Sequence, residues 1–437
     1  MALSFLFRSA QSVPAEHRSN FIHLYLDIAW FGVLSGSSMA FVAVYAARQG
    51  ADAFQIGLLS AGPAVVNLVF ALPTGRWLER QPIGPAVFWA SVLHRLFYLF
   101  WLPLPVLLSP QGQIWSLIGL TLLMSIPGVA LAIGFNALFA DAVPPEWRGH
   151  VAGVRNALLA VTFILTSLIC GYLLSHLPFP VNYQIVFAMG FLGAAMSSVQ
   201  LWYVRPASAE KAPSRVGRSL GDMARPGVIR MLGDGIRHGV GLRFLTRGRG
   251  LSLLRAEILR SAFGRVLAVL FAFHLAQYLP IPLFPLYFVG RLHLSDQMIG
   301  LGTALFYITV FLGSTRLGHL TRQLGNQRVV AVGAALMMLY PGLLALSREV
   351  GLFLVLSLIG GSGWALAGGA LANYVLDKAP RHDRPAHLAW YNLSLNAAIL
   401  LGSVVGPLLG TWLDLSVALL VCAALRLAAA FCIWRWG

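Results

Sequence analysis

Ile56-Gly57-Leu58, with Gly75-Arg76-Trp77-Leu78-Glu79-Arg80 behind it, decides how this chain is read. Ile299-Gly300-Leu301 returns 243 residues later, and Gly318 stands at the same shift from Gly75. A second set agrees. Asp141, Pro144, Arg148 and Asn156 recur as Asp377, Pro380, Arg384 and Asn392, each 236 residues on. The same order of elements therefore occurs twice, with one connection changed in length.

Between these anchors the chain is apolar. Of its 437 residues 58 % are hydrophobic and 11 % charged, where soluble domains are about a quarter charged. A helix that crosses a bilayer needs roughly 20 apolar residues. Length and flanks predict twelve such segments, at 22–46, 54–74, 85–108, 115–140, 151–175, 182–204, 264–290, 297–317, 329–347, 351–376, 386–411 and 415–434. The expectation is an all-α membrane protein, twelve transmembrane helices in two pseudo-symmetric six-helix bundles. Residues 1–204 form the N-terminal bundle, 205–263 a basic cytoplasmic linker and 264–437 the C-terminal bundle. Duplicated halves of this kind place a site between them near the bilayer midplane.

The net charge is +16, almost all of it arginine, since Lys211 and Lys378 are the only lysines. The basic residues sit between the apolar runs, which argues against a nucleic-acid partner. Even-numbered connections carry Arg76, Arg80, Arg148, the linker, Arg322, Arg328, Lys378, Arg381 and Arg384. Odd-numbered ones hold little beyond Arg48, Arg291 and Arg348. By the positive-inside rule both termini are cytoplasmic, in a multi-pass protein of a prokaryotic inner membrane, with lipid as its solvent. In the linker, Val228, Ile229, Leu232, Ile236 and Val240 interleave with Arg230, Arg237 and Arg243. This fits a basic amphipathic helix on anionic lipid or a solvated connection equally well. Cys170, Cys422 and Cys432 all lie in apolar runs and read as core residues. From the short apolar start, broken by Arg8, no cleavable signal peptide is expected.

The loop at Gly75–Arg80 and its copy at Gly318–Arg328 are similar to a repeated motif of the major facilitator superfamily, and the likeness runs the length of the chain. The resemblance implies a secondary transporter whose halves rock about a central site. It also implies a cytoplasmic gate built from Gly75, Arg76, Glu79, Arg80, Gly318 and Arg322. Glu79 replaces the usual aspartate, and Arg322 occupies the acid position of the second copy. Asp141 and Arg148, with Asp377 and Arg384, resemble the family's turns between the fourth and fifth and the tenth and eleventh spans, and complete that gate. Gly402-Ser403-Val404-Val405-Gly406-Pro407 resembles the glycine-proline run of antiporters, although there it belongs to the fifth span. No basic residue occurs from Trp115 to Ala140, so the family's mid-membrane arginine of the fourth span is missing.

Ionisable and polar groups inside spans are costly and face a cavity or a partner. Asp27 in the first span is the leading candidate for contact with a coupling ion, or else pairs with Arg95 of the third, beside His94. His274, Gln277 and Tyr278 share one face of the seventh span, followed by Pro280, Pro282 and Pro285. The resemblance places the first, fourth, seventh and tenth spans around the cavity. Asn136, Trp364 and Asn373 therefore join Asp27, Arg95, His274, Gln277 and Tyr278 as the expected substrate path. Asn392 and Asn396 share a face of the eleventh span. Arg426 in the last span is expected to snorkel towards the cytoplasm.

Both lysines precede alanine, so no P-loop can form, and no His-Glu-x-x-His or buried nucleophile with a base is evident. His382, Asp383 and His387 do not complete a metal set. The expected function is that of a non-enzymatic, monomeric, cofactor-free transporter, carrying a small molecule outwards with a proton or sodium ion as candidate coupling ion. The alternatives are uptake of a sugar or other metabolite, and a non-transporting sensor or adaptor.

Overall fold

A chain dissolved in hydrocarbon must satisfy its own backbone N–H and C=O groups, and continuous helices do so. In a computed structural model, which describes residues 15–206, 257–380 and 383–437, twelve helices are long and apolar enough to cross a membrane. No strand occurs among the described residues. The helices are α1 (His17–Arg48), α2 (Ala53–Leu78), α3 (Ile83–Leu107), α4 (Pro110–Ala142), α5 (Arg148–His176) and α6 (Val181–Tyr203). The second set is α7 (Ala262–Arg291), α8 (Asp296–Leu324), α9 (Asn326–Leu344), α10 (Val350–Lys378), α11 (Arg384–Trp412) and α12 (Leu415–Trp436). Most of the expected linker, 207–256, lies outside the described residues, so the amphipathic reading of Val228–Arg243 does too.

Within each half the connections are short, and some helices are capped by the residue at their own head. Asp52 accepts from Gln55 N at the head of α2, and Ser295 accepts from Met298 N at the head of α8, as N-caps do. The two caps are themselves 243 residues apart, so the repeat fixes helix starts as well as interiors. One face of the molecule, here the terminal face, carries the ends of α2, α4, α6, α8, α10 and α12. The opposite, far face carries the ends of the odd-numbered helices.

Each half has its own core. Tyr45, Tyr98, Trp101 and Phe187 are among the residues filling the first, and Phe273, Met337, Trp364 and Tyr374 the second. The halves meet where α5 packs on α8 and α2 on α11. The Ile-Gly-Leu repeat explains both contacts. A Cβ on Gly57 would lie 2.3 Å from the carbonyl oxygen of Ser403 in α11. A Cβ on Gly300 would lie 2.9 Å from Ser167 O and 3.2 Å from the Gly171 Cα, both in α5. Backbone thus meets backbone at two related crossings near the far face, the way small residues bring helices together in lipid. A third cluster, Val44 and Ala53 with Leu283, Tyr287 and Ile299, spans the halves at the same level.

Gly75 and Gly318 behave differently from the expected turn. Both are inside helices, because α2 runs to Leu78 and α8 to Leu324. Among the described residues no atom beyond its own stretch of helix lies within 4 Å of a Cβ built on Gly75. The turn after α8 is made instead by Gly325, at φ +81°, a conformation that glycine adopts at little cost.

Gly57→Val and Gly300→Val should leave each bundle folded and hold the far ends apart. The check is a spin-label distance between Leu107→Cys and Leu346→Cys, both exposed on the far face. The distance should lengthen in either variant and stay as in the wild type in Gly75→Ala; an unchanged distance in Gly57→Val would refute the crossing.

Candidate functional site

The buried charges of the N-terminal half converge on Asp27. Helix α1 begins before the expected boundary, so Asp27 lies about 15 Å along it from His17 at 1.5 Å per residue and is 3 % exposed. Arg155 of α5 donates to Asp27 Oδ2 from Nη1 at 3.1 Å and from Nη2 at 3.0 Å. Ser197 of α6 donates to Oδ1 at 2.5 Å. Arg95 Nη2 of α3 stands 3.8 Å from Oδ1, and its Nη1 donates to Ser198 at 3.0 Å. Arg155 also lies over the Phe135 ring, 4.7 Å from its centroid. One carboxylate and two guanidiniums therefore tie α1, α3, α5 and α6 together inside one half. His94 is separate from this network, with Nδ1–H donating to Met124 O at 2.7 Å.

In the other half the polar strip of α7 meets α11. His274 Nε2 and the Tyr391 hydroxyl are hydrogen-bonded at 3.1 Å. Tyr278 and Tyr391 pack on a cluster made by Ala64 of α2 with Leu395 and Ile399 of α11, so this strip sits where the halves join. Gln277 Oε1 and Asn396 Oδ1 are buried acceptors with no hydrogen-bond partner among the described residues. Asn136 turns back on its own helix, donating to Ala132 O at 3.0 Å. Trp364 is packed in the core of the C-terminal half, and Asn373 is half-buried on the same helix. The glycine-proline run serves the same neighbourhood. A Cβ on Gly402 or Gly406 would strike α7 at Tyr278 or Leu279, and Pro407 lies against Gly57.

Arg426 does not snorkel. It is 4 % exposed and donates to the carbonyls of Ala276 at 3.2 Å, Met337 at 2.9 Å and Gln277 at 3.0 Å. Carbonyls of α7 and α9 hold it in the protein interior, so the side chain has no need to reach the membrane surface.

At the terminal face Arg76, Glu79, Arg80, Gly318 and Arg322 are exposed. The two arginines of the second repeat do one job twice. Arg148 donates from Nε to Val143 O at 3.0 Å and from Nη2 to Ala140 O. Arg384 donates from Nη2 to Leu376 O at 3.4 Å. Ala140 and Leu376 are themselves 236 residues apart. Each guanidinium thus closes the carbonyl end of the helix before it, a favourable place for a cation. Asp377 accepts from Asn326 Nδ2 at 2.6 Å, and Asp141 borders a cleft of about 660 Å³ between the ends of α1, α4 and α6.

The far face holds a latch between the halves. Arg48, the last residue of α1, donates to Asp296 Oδ1 from Nε at 3.2 Å and from Nη2 at 3.1 Å, and also reaches Leu294 O. Asp296 is the first residue of α8, so acid and base each sit at the helix end that favours them. Ser175 of α5 accepts from Gln297 N at 2.9 Å beside them.

Two six-helix halves with repeated motif loops at one face set the comparison. The profile of the Major Facilitator Superfamily matches residues 27–270 and 266–437. The chain belongs to the Major Facilitator Superfamily. No curated protein matches the chain significantly in sequence. Among solved structures it is similar to a bacterial homologue of the iron transporter ferroportin in an inward-facing state (TM-score 0.68, 14 % identity, 98 % of this chain and 99 % of that one). A D-xylose-proton symporter is similar at TM-score 0.67 and 15 % identity, over 96 % and 97 % of the two chains. The nucleoside transporter NupG is similar at 0.62 and 12 %, over 97 % and 99 %. At such identities the likeness shows the fold. This superfamily member is an integral, multi-pass membrane protein with a transporter fold.

Four residues of these constellations escape a reading of the sequence. Arg155 stands so near the start of its span that it passes for a flanking charge. Tyr391 reaches His274 from 117 positions away, and no local pattern signals that. Arg48 and Asp296 look like loop charges, though Arg48 and Arg291 lie at the 243-residue shift; Arg291 bonds instead to Asp414 of its own half.

Asp27→Asn should strand two buried guanidiniums without an anion, which costs about 3–5 kcal/mol where one partner of a buried pair is removed. Arg95→Met, which removes the arginine farther from the carboxylate, should cost less. Thermal unfolding in detergent orders the three proteins, and equal stability of wild type and Asp27→Asn would remove the ion network from this account. Asp296→Asn should loosen the latch. A partly exposed pair is worth about 0.5–1 kcal/mol, so labelling of Val44→Cys by a bulky maleimide should quicken roughly two- to fivefold.

Proposed function

We propose that the chain is a secondary active transporter that exports a moderately apolar small molecule across a prokaryotic inner membrane by alternating access, driven by a proton or sodium gradient. The terminal face is cytoplasmic and the far face external, in keeping with the arginines of the even-numbered connections. With Arg48 joined to Asp296 across the far face and Glu79, Arg80 and Arg322 exposed on the other, the structure is read as inward-facing. In the outward-facing state the residues Gly75, Arg76, Glu79, Arg80, Asp141, Arg148, Gly318, Arg322, Asp377 and Arg384 form the cytoplasmic gate.

One observation carries the substrate reading. His274, Tyr278 and Tyr391 cluster where α2, α7 and α11 meet across the halves, next to the unpartnered oxygen of Gln277. A mostly aromatic surface with a few hydrogen-bonding groups suits a ligand with an apolar body and one or two polar handles. Asn136, Gln277, Trp364 and Asn373 extend this path. Asp27 and Arg95, spent on bonds within one half, act behind it by fixing α1 and α3.

Protein reconstituted in liposomes in a defined orientation, with a compound panel and imposed pH or sodium gradients, tests the reading. Amphiphilic aromatic compounds should move from the terminal face to the far face, and His274→Ala should slow that flux at least severalfold. Strict inward movement of a hydrophilic sugar or nucleoside would replace export by uptake. A purified, well-folded protein that moves nothing in the panel under any gradient would favour a sensor.

A further inference from the structure

Arg426 is a buried cation that forms no ion pair among the described residues. Its partners are three carbonyls, and the sequence explains why those three are available. In a helix the carbonyl of residue i takes the amide of residue i+4, and proline has no amide hydrogen to give. Ala276 stands four residues before Pro280, and Met337 four before Pro341. Pro341 lies inside α9, and Pro280 follows the last regular turn of α7, Ala262–Tyr278. The third carbonyl, Gln277 O, loses its donor as well, because Ile281 N turns to Tyr278 O at 3.3 Å. One guanidinium therefore serves the carbonyls that two prolines and one irregular turn leave open, each at hydrogen-bond distance. An ammonium could not match this fan of donors in one plane.

The break in α7 matters for the gate. Beyond it, Leu283–Leu286 and Tyr287–Arg291 continue the helix at the far face. Leu283 and Tyr287 there pack in one cluster with Val44 of α1 and Ala53 of α2. The angle of the break sets how that segment meets the N-terminal half. Gly402 and Gly406 of α11 press on the break from the other side.

We infer that Arg426 is a positioning residue that pins the proline breaks of α7 and α9 together and so holds the distal segment of α7 against α1 in the far-face closure. The bonding half of this inference is independent of any substrate. The gating half rests on the alternating-access reading above.

The test is a rescue. Arg426→Met leaves the three carbonyls unserved, whereas Pro280→Ala and Pro341→Ala each restore an amide to one of them. The triple variant should regain most of the melting temperature in detergent that Arg426→Met loses. Should Arg426→Met fail to fold, the readout becomes recovery of a monodisperse species in the triple variant. The gate is read by short thiol cross-linking of Val44→Cys with Leu283→Cys in a background without the native cysteines. Its yield should fall in Arg426→Met roughly tenfold, the effect on an equilibrium of losing one buried hydrogen-bond partner, and recover in the triple variant. Phe163→Cys with Tyr307→Cys, a cross-half pair of α5 and α8 whose native rings are 4.2 Å apart and which does not involve the distal segment of α7, should keep its yield throughout. If the proline replacements give Arg426→Met no relief in stability, the pairing of prolines and arginine is overturned. If stability is rescued but the Val44–Leu283 yield never changes, Arg426 serves packing alone and the gating half is overturned.

Discussion

Backbone contact between helices of different halves is the constraint on which this architecture depends. In lipid there is no hydrophobic gain from joining two apolar helices, so association comes from close packing and from hydrogen bonds. Gly57 against Ser403 and Gly300 against Gly171 meet that demand at two symmetric places. Each crossing lies near the far face, so it fixes the ends of four helices there and leaves their other ends free of the same restraint. A single methyl at either glycine would overlap a neighbouring carbonyl. The repeat in the sequence is therefore the record of a packing need that arises twice.

Polar chemistry is divided unequally between the halves that share this scaffold. The N-terminal half spends its buried charge on itself, with Asp27 joining Arg95 and Arg155 around two serines of α6. The C-terminal half buries Arg426 on carbonyls alone. The arginine at the end of the first helix of each half shows the same divergence. Arg48 crosses to the other half, whereas Arg291 stays at home with Asp414. Positions bound by backbone geometry have kept a shared structural role, such as the caps Asp52 and Ser295 and the hooks Arg148 and Arg384. Side chains free of that duty have drifted to separate uses.

The same distinction explains what can be read from the chain directly. Span number and halves were legible because hydropathy and helix caps act locally: the twelve expected segments fall on the twelve helices to within seven residues at each end. Boundaries erred where polar residues continue a helix beyond the apolar run, as at Arg76–Leu78 and Thr321–Leu324. That error turned the helical Gly75 and Gly318 into expected turn residues. The pairing of Asp27 with Arg155, of His274 with Tyr391 and of Arg48 with Asp296 depends on which helices are neighbours, information absent from any window of sequence. Arg426 is the instructive case. Its partners could in principle be found, because a proline four residues after a position announces an open carbonyl there. What the chain does not say is which arginine will answer.

In the transport cycle proposed above these pieces divide the labour. Glycine crossings are stiff, since backbone against backbone allows little sliding before atoms collide. The Arg48–Asp296 latch is partly exposed and correspondingly weak, a contact that can be made and broken at each cycle. Between stiff and weak lies the α7 break. Proline removes the helical bonds there that would resist bending, and a guanidinium replaces them with bonds that can tilt while remaining formed. A segment hinged in this way can follow α1 inwards and away without exposing an unserved carbonyl to lipid. The costliest event in such a motion, a naked backbone group in hydrocarbon, is thereby avoided in both states, and the difference in free energy between them is left to the weak contacts at the two faces.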